Sequence, residues 1–435
     1  MQKRPMDTDL KIRMSPPLGL YTIANILRNE HKVVVQNECV EEIVIDKPDV
    51  VGIMVTVNAL PRAIEISSHF RKNGSKVVAG GIHVTTAYST IPPNCFDALC
   101  VGAAEKTWPA IIEDAAKGQL KSIYFCSTMT GADIVSPAYD MIPKEKYLYR
   151  NIIHTSRGCP FKCDFCYNSG PQHQYLIRPI QDVIKDIEAT HSRHVMFIDD
   201  NFTGNPKWTR EFMTAIKPMK LKWNAACSIN IANHPDLLDE MREAGCQSLF
   251  IGFESVTPDS IKSVHKVQND TTKYEHAVAE IHKRGIMINA SFVFGLDSDT
   301  LDTFKYTLEW IVRNKIETVT SHILTPYPGT VVYDEYEKNG RITSHDLSYY
   351  DTAHVVFEPR NMTAQQLYEG YLWIYDQVYS FKNIWRRLPR LKSLILPYLT
   401  FNILYRKFGH FSDSICKFIG YERYGRFAEH LAKYL

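Results

Sequence analysis

The chain has 435 residues, of which 45% are hydrophobic and 23% are charged. This length accommodates about two to three domains with well-filled cores. A formal net charge of +2 excludes a strongly basic or acidic surface, so we expect no nucleic-acid partner. Ten cysteines are too sparse for a disulfide-dense secreted scaffold. The N-terminus lacks the apolar core of a signal peptide, and no apolar run reaches about 18 residues. We therefore expect a cytoplasmic protein.

Residues 1–120 alternate strand-like and helix-like segments. Apolar residues recur with the helical period at 18–27, 60–72 and 105–117. Short β-branched runs predict strands at 32–35, 50–55, 76–79 and 98–101. This alternation predicts a doubly wound, Rossmann-like α/β domain. A first strand before Pro16 is missing or reduced to the polar residues 1–14, and residues 121–150 are predicted to be a linker.

Candidate ligand contacts follow the strands of this front domain. Ligands of doubly wound sheets bind outside the carboxyl ends of the parallel strands. Five residues lie at such ends: Thr56, Gly80, Gly81, His83 and Gly102. For His83, packing inside a turn is an equally good interpretation.

Three cysteines lie close together after the linker, at Cys159, Cys163 and Cys166. Three thiolates on one loop can each bind one iron of a four-iron cluster, which leaves the fourth iron free to bind a small molecule. The alternative is a structural zinc site, but zinc takes four ligands, usually from paired Cys or His residues. Since no second pair has a suitable spacing, the sequence favours an iron–sulfur cluster with an open iron.

The β/α alternation resumes over residues 151–340. Six strands are predicted at 152–155, 194–198, 222–227, 248–253, 287–294 and 318–323. Six parallel strands with outer helices form a partial (β/α)6 TIM barrel, in which chemistry gathers at the carboxyl ends of the strands. The cysteine loop follows the first of these strands, so we expect it at the same rim as the polar residues that close the later strands.

The motif Cys159-Pro-Phe-Lys-Cys163-Asp-Phe-Cys166 resembles the signature of the radical S-adenosylmethionine (SAM) superfamily. The resemblance implies that the three cysteines hold a 4Fe–4S cluster, that the open iron binds SAM, and that SAM is cleaved to a 5′-deoxyadenosyl radical. It also implies SAM contacts for Tyr167, Glu254, Ser255, Phe294 and Gly295. The position of the barrel rim adds Asp199 and Ser228 to these candidates.

Two of these candidates have structural alternatives. Asp199 is also suited to cap the helix that follows it, because carboxylates favour helix N-termini. Glu254 is also suited to pair with Arg284 or another surface cation. The sequence alone leaves both alternatives open.

Residues 16–20, 80–83 and 101–105 make the front domain similar to the cobalamin-binding domain that precedes many radical SAM cores, in the group that includes the hopanoid methylases. The resemblance implies that cobalamin contacts Thr56, Gly80, Gly81, His83 and Gly102. Because the sequence contains no Asp-x-His-x-x-Gly motif, it implies a binding mode without an axial histidine from that motif. The alternative is a front domain that is vestigial or binds substrate.

Residues 341–435 are predicted to form a helical C-terminal region. Thr363 is placed to cap a helix whose apolar face carries Leu367, Tyr371, Ile374 and Val378. Further on, basic and aromatic side chains are interleaved and outnumber the acids. Such a region is suited to peripheral contact with an anionic membrane or to gripping a lipid-like substrate. The alternative is a helical cap on the barrel with solvated basic side chains.

Taken together, the resemblance implies a cobalamin-dependent radical SAM enzyme that methylates an unactivated carbon of a small-molecule or lipid-like substrate. A low-potential electron donor, flavodoxin or ferredoxin, is implied as its partner. Two alternatives stay open. One is a radical SAM isomerase, cyclase or dehydrogenase whose front domain binds substrate, and the other is a non-catalytic redox or cobalamin sensor.

Overall fold

A computed structural model describes residues 15–44, 46–126, 128–170 and 174–407, together with positions 418 and 423. The polar segment 1–14, where a first strand was expected, lies outside the described residues.

The front of the chain forms a sheet of four parallel strands in the order β1-β2-β3-β4. The strands are β1 Val50–Met54, β2 Lys76–Gly80, β3 Ala98–Val101 and β4 Ile123–Phe125. The helices are α1 Leu18–Leu27, α2 Leu60–Lys72, α3 Ile82–Ala87 and α4 Ala104–Ala116. Val77 and Ala79 pack in one apolar cluster with residues of α2, and Val78 packs in another with residues of α4. Helices therefore cover both faces of the sheet, and the predicted Rossmann-like architecture is confirmed.

Two sequence predictions for the front of the chain were wrong. Residues 32–35 form no strand, and Val34 is 71% exposed; β-branched residues alone do not make a strand where no sheet partner is available. Conversely, β4 falls inside the predicted linker and pairs in parallel with β3. Tyr124 of β4 is buried, and its hydroxyl donates a 2.8 Å hydrogen bond to Asp114. A strand of three residues is too short to show a hydrophobic period in the sequence.

The second sheet contains six parallel strands that lie side by side in chain order. They are β5 Ile152–Ile153, β8 His194–Phe197, β9 Lys222–Cys227, β10 Cys246–Glu254, β11 Met287–Phe294 and β12 Thr318–Ile323. The remaining strands, β6 Ser156–Arg157 and β7 Leu176–Ile177, form a small antiparallel pair. The associated helices are α5 Ile180–Thr190, α6 Pro206–Ile216, α7 Pro235–Glu243, α8 Pro258–Ser263, α9 Tyr274–Lys283, α10 Leu301–Arg313 and α11 Val331–Lys338. The predicted partial barrel is confirmed.

Side chains alternate between the two faces of this sheet. On β9, Trp223, Ala225 and Cys227 are buried in the cluster that the outer helices share, whereas Asn224 is only half-buried. The helices thus cover the convex face, and the concave face keeps polar, partly accessible side chains. All six carboxyl ends lie at one rim, which brings the residues that follow them close together.

Strand β12 is the open edge of the barrel, and helix α12 Ala364–Val378 covers it. The Tyr375 hydroxyl accepts from the Ser321 amide (2.9 Å) and donates to the Ser321 carbonyl (3.0 Å). The Tyr379 hydroxyl bonds in the same way to the amide and carbonyl of Val319, at 3.0 and 2.6 Å. Two phenols therefore satisfy backbone groups that a neighbouring strand would otherwise satisfy.

The prediction of the C-terminal helix is confirmed. Thr363 and Gln366 form a reciprocal capping box at the start of α12. The predicted apolar face is buried, with Leu367, Tyr371, Ile374 and Val378 inside.

The basic side chains beyond α12 are only partly solvated, because Arg387 is fully buried. Its guanidinium donates to the carbonyls of Ile316 (2.7 Å) and Val378 (2.7 Å). Helices α13 Phe381–Arg386 and α14 Ile395–Leu399 and the π-helix Thr400–Lys407 complete this cap. Among the described residues, no helix has the length and apolar character that crossing a bilayer requires.

Candidate active site

The three cysteines of the motif follow the short strand β6, at the carboxyl end of β5. All three are free thiols, and Cys163 is buried. Burial raises the pKa of the Cys166 thiol to about 12, and the nearby Cys163, Asp200 and Cys159 add to that rise. Burial also raises the pKa of Cys159 and of Cys163. The sulfurs of Cys163 and Cys159 therefore lie close enough to Cys166 at the barrel mouth to influence its pKa, although only Cys163 is fully buried.

A cluster and a single ion make different demands on these thiols. No group of three His, Cys, Asp or Glu side chains in the described part of the chain is arranged to hold one metal ion. A tetrahedral zinc ion with bonds of about 2.3 Å to sulfur requires thiolates about 3.8 Å apart, whereas each thiolate of a cluster binds a different iron. Three free thiols on one loop fit the separate irons of a cluster.

Asp199 fixes the backbone that leads into the cysteine loop. Its buried Oδ1 accepts bonds from the amide and hydroxyl of Thr155, at 2.8 and 3.0 Å, and from the amide and hydroxyl of Ser156. Burial raises the pKa of Asp199 to about 6. The capping alternative was wrong, because Asn205 caps the following helix through its side chain.

Asn201 joins the cysteine loop to the third strand of the barrel. Its Oδ1 accepts a 3.3 Å hydrogen bond from the amide of Ser228, and a hydrogen bond between its side chain and Cys159 opposes the rise in the pKa of that thiol. Ser228 is buried at the end of β9. The role of Asn201 was not predicted, although its position after β8 was the available signal.

Glu254 ends β10 in a strained conformation. Its φ of +61° lies in the left-handed region that favours glycine, and the pairing of β10 with β11 shifts register between Gly252 and Glu254. The buried carboxylate forms an ion pair with Lys266. Of the predicted alternatives, Arg284 was wrong, because it pairs with Asp239 and Glu280 instead. Pairing with another cation is confirmed, although that cation, Lys266, is buried and not at the surface. Strain of this kind concentrates at functional sites.

The remaining candidates at the strand ends differ in whether their side chain or only their backbone is placed to contact a ligand. Ser255 is buried, and its hydroxyl lies 3.0 Å from that of Thr257. Phe294 stacks on Phe304 with ring centroids 4.7 Å apart, so its side chain faces the outer helices. Gly295 has a φ of +97°, and a Cβ there would lie 2.8 Å from Leu367. At Phe294 and Gly295 only the backbone is therefore well placed to contact a ligand.

Tyr167 lies on the far side of the cysteine loop and is 38% exposed. Its hydroxyl is 3.4 Å from Asp200 Oδ1. Tyr327 lies in the loop after β12, where the end of the sixth strand was expected to reach the rim, and is a further neighbour of Cys166. Burial raises the pKa of Tyr327 to about 12, with smaller contributions from Asp351 and Cys166. Both ends of the barrel sheet thus supply a tyrosine to the surroundings of Cys166.

The candidate residues of the front domain lie at the carboxyl edge of the first sheet. Thr56 is exposed, and its hydroxyl lies 3.1 Å from Asn58 Oδ1. Gly81 has a φ of +105° and Gly102 one of +93°. A Cβ on Gly102 would lie 2.8 Å from the Cβ of Cys126. These glycines therefore allow neighbouring loops at this edge to pack closely, Gly81 against Val55 and Gly102 against Cys126.

His83 lies inside helix α3 and not in a turn. It is fully buried, its Nε2 is 3.4 Å from Thr90 Oγ1, and its Nδ1 has no hydrogen-bond partner among the described residues. Burial lowers the pKa of His83 to about 4, so the ring is neutral. His83 is therefore not presented at the surface of this edge, and Thr56 and the glycines of the edge are the residues that would hold a corrinoid there.

The carboxyl edges of the two sheets meet. A Cβ on Gly329, in the loop after β12, would lie 2.3 Å from the Thr86 carbonyl oxygen, and one on Gly170 would lie 3.5 Å from Thr86 Cγ2. Arg157, just before the cysteine motif, forms a 2.6 Å ion pair with the buried carboxylate of Glu105 in α4. The cysteine loop is therefore in contact with the edge that carries the front-domain candidates.

Comparisons with known proteins agree with this geometry. Residues 153–311 match the model of the Radical SAM superfamily. The bacteriochlorophyllide d C-12(1)-methyltransferase of Chlorobaculum tepidum is 29% identical over 392 residues, which cover 86% of this chain and 85% of that protein. The hopanoid C-2 methylase of Rhodopseudomonas palustris is 27% identical over 350 residues, which cover 75% and 66%. The solved structure of the cobalamin-dependent radical enzyme OxsB superposes with a TM-score of 0.69 at 14% identity, covering 92% of this chain and 70% of that one.

An open parallel barrel with three free thiols at its mouth has the architecture that an iron–sulfur enzyme requires. Residues 153–311, which contain the cysteine motif, match the Radical SAM superfamily, and the chain has the fold and the thiol site that an enzyme of this class requires. Its thiols Cys159, Cys163 and Cys166 are suited to hold the 4Fe–4S cluster that binds SAM in this superfamily.

Proposed function

We propose that this protein is a cobalamin-dependent radical SAM methyltransferase that adds a methyl group to an unactivated carbon. The observation that carries the proposal is the contact between the two carboxyl edges, where Gly329 and Gly170 pack against Thr86. Methyl transfer by this chemistry needs the corrinoid and SAM to face a common substrate, and ligands of both sheet types bind at these edges. The names of both curated relatives include a methyl transfer.

In the proposed reaction the chain supplies geometry and exclusion of water. When bound, the cluster and SAM supply the 5′-deoxyadenosyl radical, and the corrinoid supplies the methyl group. Asp199 and Asn201 hold the cysteine loop in register with β8 and β9. The candidate SAM contacts are Tyr167, Asp199, Ser228, Glu254, Ser255, Phe294 and Gly295. The candidate corrinoid contacts are Thr56, Gly80, Gly81 and Gly102, and we place His83 beneath this edge in a packing role.

The test is anaerobic reconstitution with iron, sulfide and hydroxocobalamin, followed by incubation with SAM and a low-potential reductant. We expect corrinoid absorbance to remain after desalting, and both 5′-deoxyadenosine and S-adenosylhomocysteine to form. Cys163→Ala is the matched control, which should keep corrinoid and lose 5′-deoxyadenosine. Formation of 5′-deoxyadenosine by a chain that binds no corrinoid would favour an isomerase, cyclase or dehydrogenase. Formation of neither product would favour a sensor.

The substrate and the electron donor are finer parts of the proposal. The relatives' names refer to a bacteriochlorophyllide and a hopanoid, which are both large polycyclic molecules, so we propose a hydrophobic small molecule or lipid-like substrate. Flavodoxin or ferredoxin is the proposed reductant, and the cytoplasm the proposed location, because the thiols must stay reduced. Replacement of the chemical reductant by either protein in the assay above tests the donor.

Peripheral membrane contact is the last part of the proposal. Residues 380–407 contain no Asp or Glu, and Phe381, Trp385 and Leu396 are 48%, 56% and 54% exposed. Exposed cations beside exposed aromatic side chains favour an anionic bilayer surface. We expect co-flotation with vesicles that contain phosphatidylglycerol but not with pure phosphatidylcholine, and Trp385→Ser to weaken it. Trp373→Ser, outside this segment, is the control.

A further inference from the structure

Residues 264–269 connect helix α8 to the cysteine loop and to the end of β10, and we call this segment the clasp. Its side chains alternate between inside and outside. Val264, Lys266 and Asn269 are buried, whereas Val267 is 82% exposed. The clasp is therefore a strip of chain with one face against the barrel mouth.

Three contacts fasten the clasp to the cysteine loop. The carbonyl of Val264 accepts a 3.2 Å hydrogen bond from the amide of Asp164. The Asp164 carboxylate lies 2.5 Å from Nδ1 of His265. The Gln268 Nε2 donates to the sulfur of Cys163 at 3.5 Å. The last contact is with a thiol that is placed to bind the cluster.

Other contacts fasten the clasp to β10. Asn269 Nδ2 donates to the carbonyls of Gly252 (3.0 Å) and Phe253 (3.1 Å). Lys266 donates to the Gly252 carbonyl at 3.0 Å and pairs with Glu254. Lys266 and Asn269, which lie two residues before and one residue after Gln268, are thus held by a β-strand. The Gln268 amide therefore has little freedom to turn away from Cys163. Its Oε1 is buried and has no hydrogen-bond partner among the described residues.

We propose that Gln268 sets the reduction potential of the cluster through its hydrogen bond to Cys163. A donor to a cluster thiolate stabilises the reduced cluster, which carries one more negative charge, and so raises the potential. The effect is strong here because the thiol is buried and the field of the donor is little screened. Gln268 is a positioning residue that contacts a cluster ligand, and the inference rests on the radical SAM class and not on methyl transfer.

The test is a redox titration of the purified, cluster-loaded protein, followed by electron paramagnetic resonance. We expect Gln268→Leu to lower the ratio of reduced to oxidised cluster at a fixed poise by about threefold, which is about 30 mV when tenfold is about 59 mV for a one-electron couple. Gln268→Asn, which withdraws the donor by one methylene and stays polar, should shift the potential in the same direction.

Gln247→Leu is the matched control. Gln247 lies near the opposite end of β10, where its side chain donates to the Gly245 carbonyl at 3.0 Å, so its replacement should leave the potential unchanged. Iron and sulfide analysis establishes that each variant carries a full cluster. If Gln268→Leu or Gln268→Asn holds a full cluster with the wild-type potential, the inference is overturned. A wild-type chain that binds no cluster would instead contradict the class of the enzyme.

Discussion

The two carboxyl edges that meet in this molecule are built in different ways. At the barrel edge, side chains interlock around the thiols, and Asp199 alone accepts four hydrogen bonds from Thr155 and Ser156. At the edge of the first sheet, glycines bring the backbone into close contact with itself, and His83 is buried beneath the surface. A cluster needs fixed thiolates, whereas a corrinoid can be held by shape and backbone. The first edge therefore leaves a specific motif in the sequence and the second does not.

The largest effect should come from the thiols of the barrel edge. Cys159→Ala, Cys163→Ala and Cys166→Ala each remove one ligand of the proposed cluster, so iron content and 5′-deoxyadenosine formation should fall by at least about tenfold. Iron analysis and product detection measure both. Cys39→Ala changes an exposed free thiol and should have no effect. A full cluster in all three motif variants would contradict the claim that the thiols of the barrel edge hold it.

A smaller effect, on stability, is expected at the ion pair between Arg157 and Glu105, which joins the two edges. Arg157→Met leaves the Glu105 carboxylate, whose side chain is 3% exposed, without its cation. We expect a loss of about 1–3 kcal/mol in stability, since the N-terminus of α4 still favours the negative charge. Thermal unfolding of the cluster-loaded protein measures the loss. Glu105→Gln removes the charge together with the pair and should cost less. Equal costs for the two variants would show that leaving the Glu105 carboxylate charged without its cation carries no penalty beyond loss of the pair.

The hydroxyl groups of the two tyrosines at the open edge of the barrel should contribute still less to the free energy of unfolding. Tyr375→Phe removes a hydroxyl that bonds to both backbone groups of Ser321, and we expect a loss of about 1 kcal/mol. Tyr379→Phe should behave in the same way. Tyr368→Phe in the same helix is the control, because Tyr368 is only half-buried. Unfolding midpoints that are unchanged in Tyr375→Phe and Tyr379→Phe would show that water replaces these hydroxyls at no cost.

The sequence predicted the fold well where local periodicity and long-range packing agree. The bounds of β9, β11 and β12 were predicted to the residue, because the segments with helical periodicity on either side delimit each of these strands. Strand β4 was missed because its three residues pair only through the sheet. A hydrophobic pattern reports burial but not which chain segment provides the partner.

The residues of the candidate site were likewise predictable where the signal is local and not where it depends on distant partners. The cysteine motif is local and was predicted as such. The partners of Glu254 and Cys163, which are Lys266 and Gln268, lie 12 and 105 positions away in the chain. In the sequence, the polar residues of the clasp are indistinguishable from those of a surface loop. Only the folded structure shows that Lys266 and Asn269 are buried. Contacts of this kind depend on the tertiary fold and leave no spacing to read in one sequence.

The smallest effect on stability and on corrinoid affinity is expected from replacing His83. This replacement tests whether the edge of the first sheet holds its ligand without a side chain. The ring is neutral, fully buried and weakly bonded to Thr90 at 3.4 Å, so His83→Leu replaces a poorly satisfied polar group with an apolar one and should be nearly neutral for stability. Corrinoid affinity should change by less than about twofold, since no axial bond is lost. Titration with hydroxocobalamin and its visible spectrum measure both. A large loss of affinity together with a changed cobalt spectrum would mean that α3 opens on binding, and the first edge would then hold its ligand by a side chain after all.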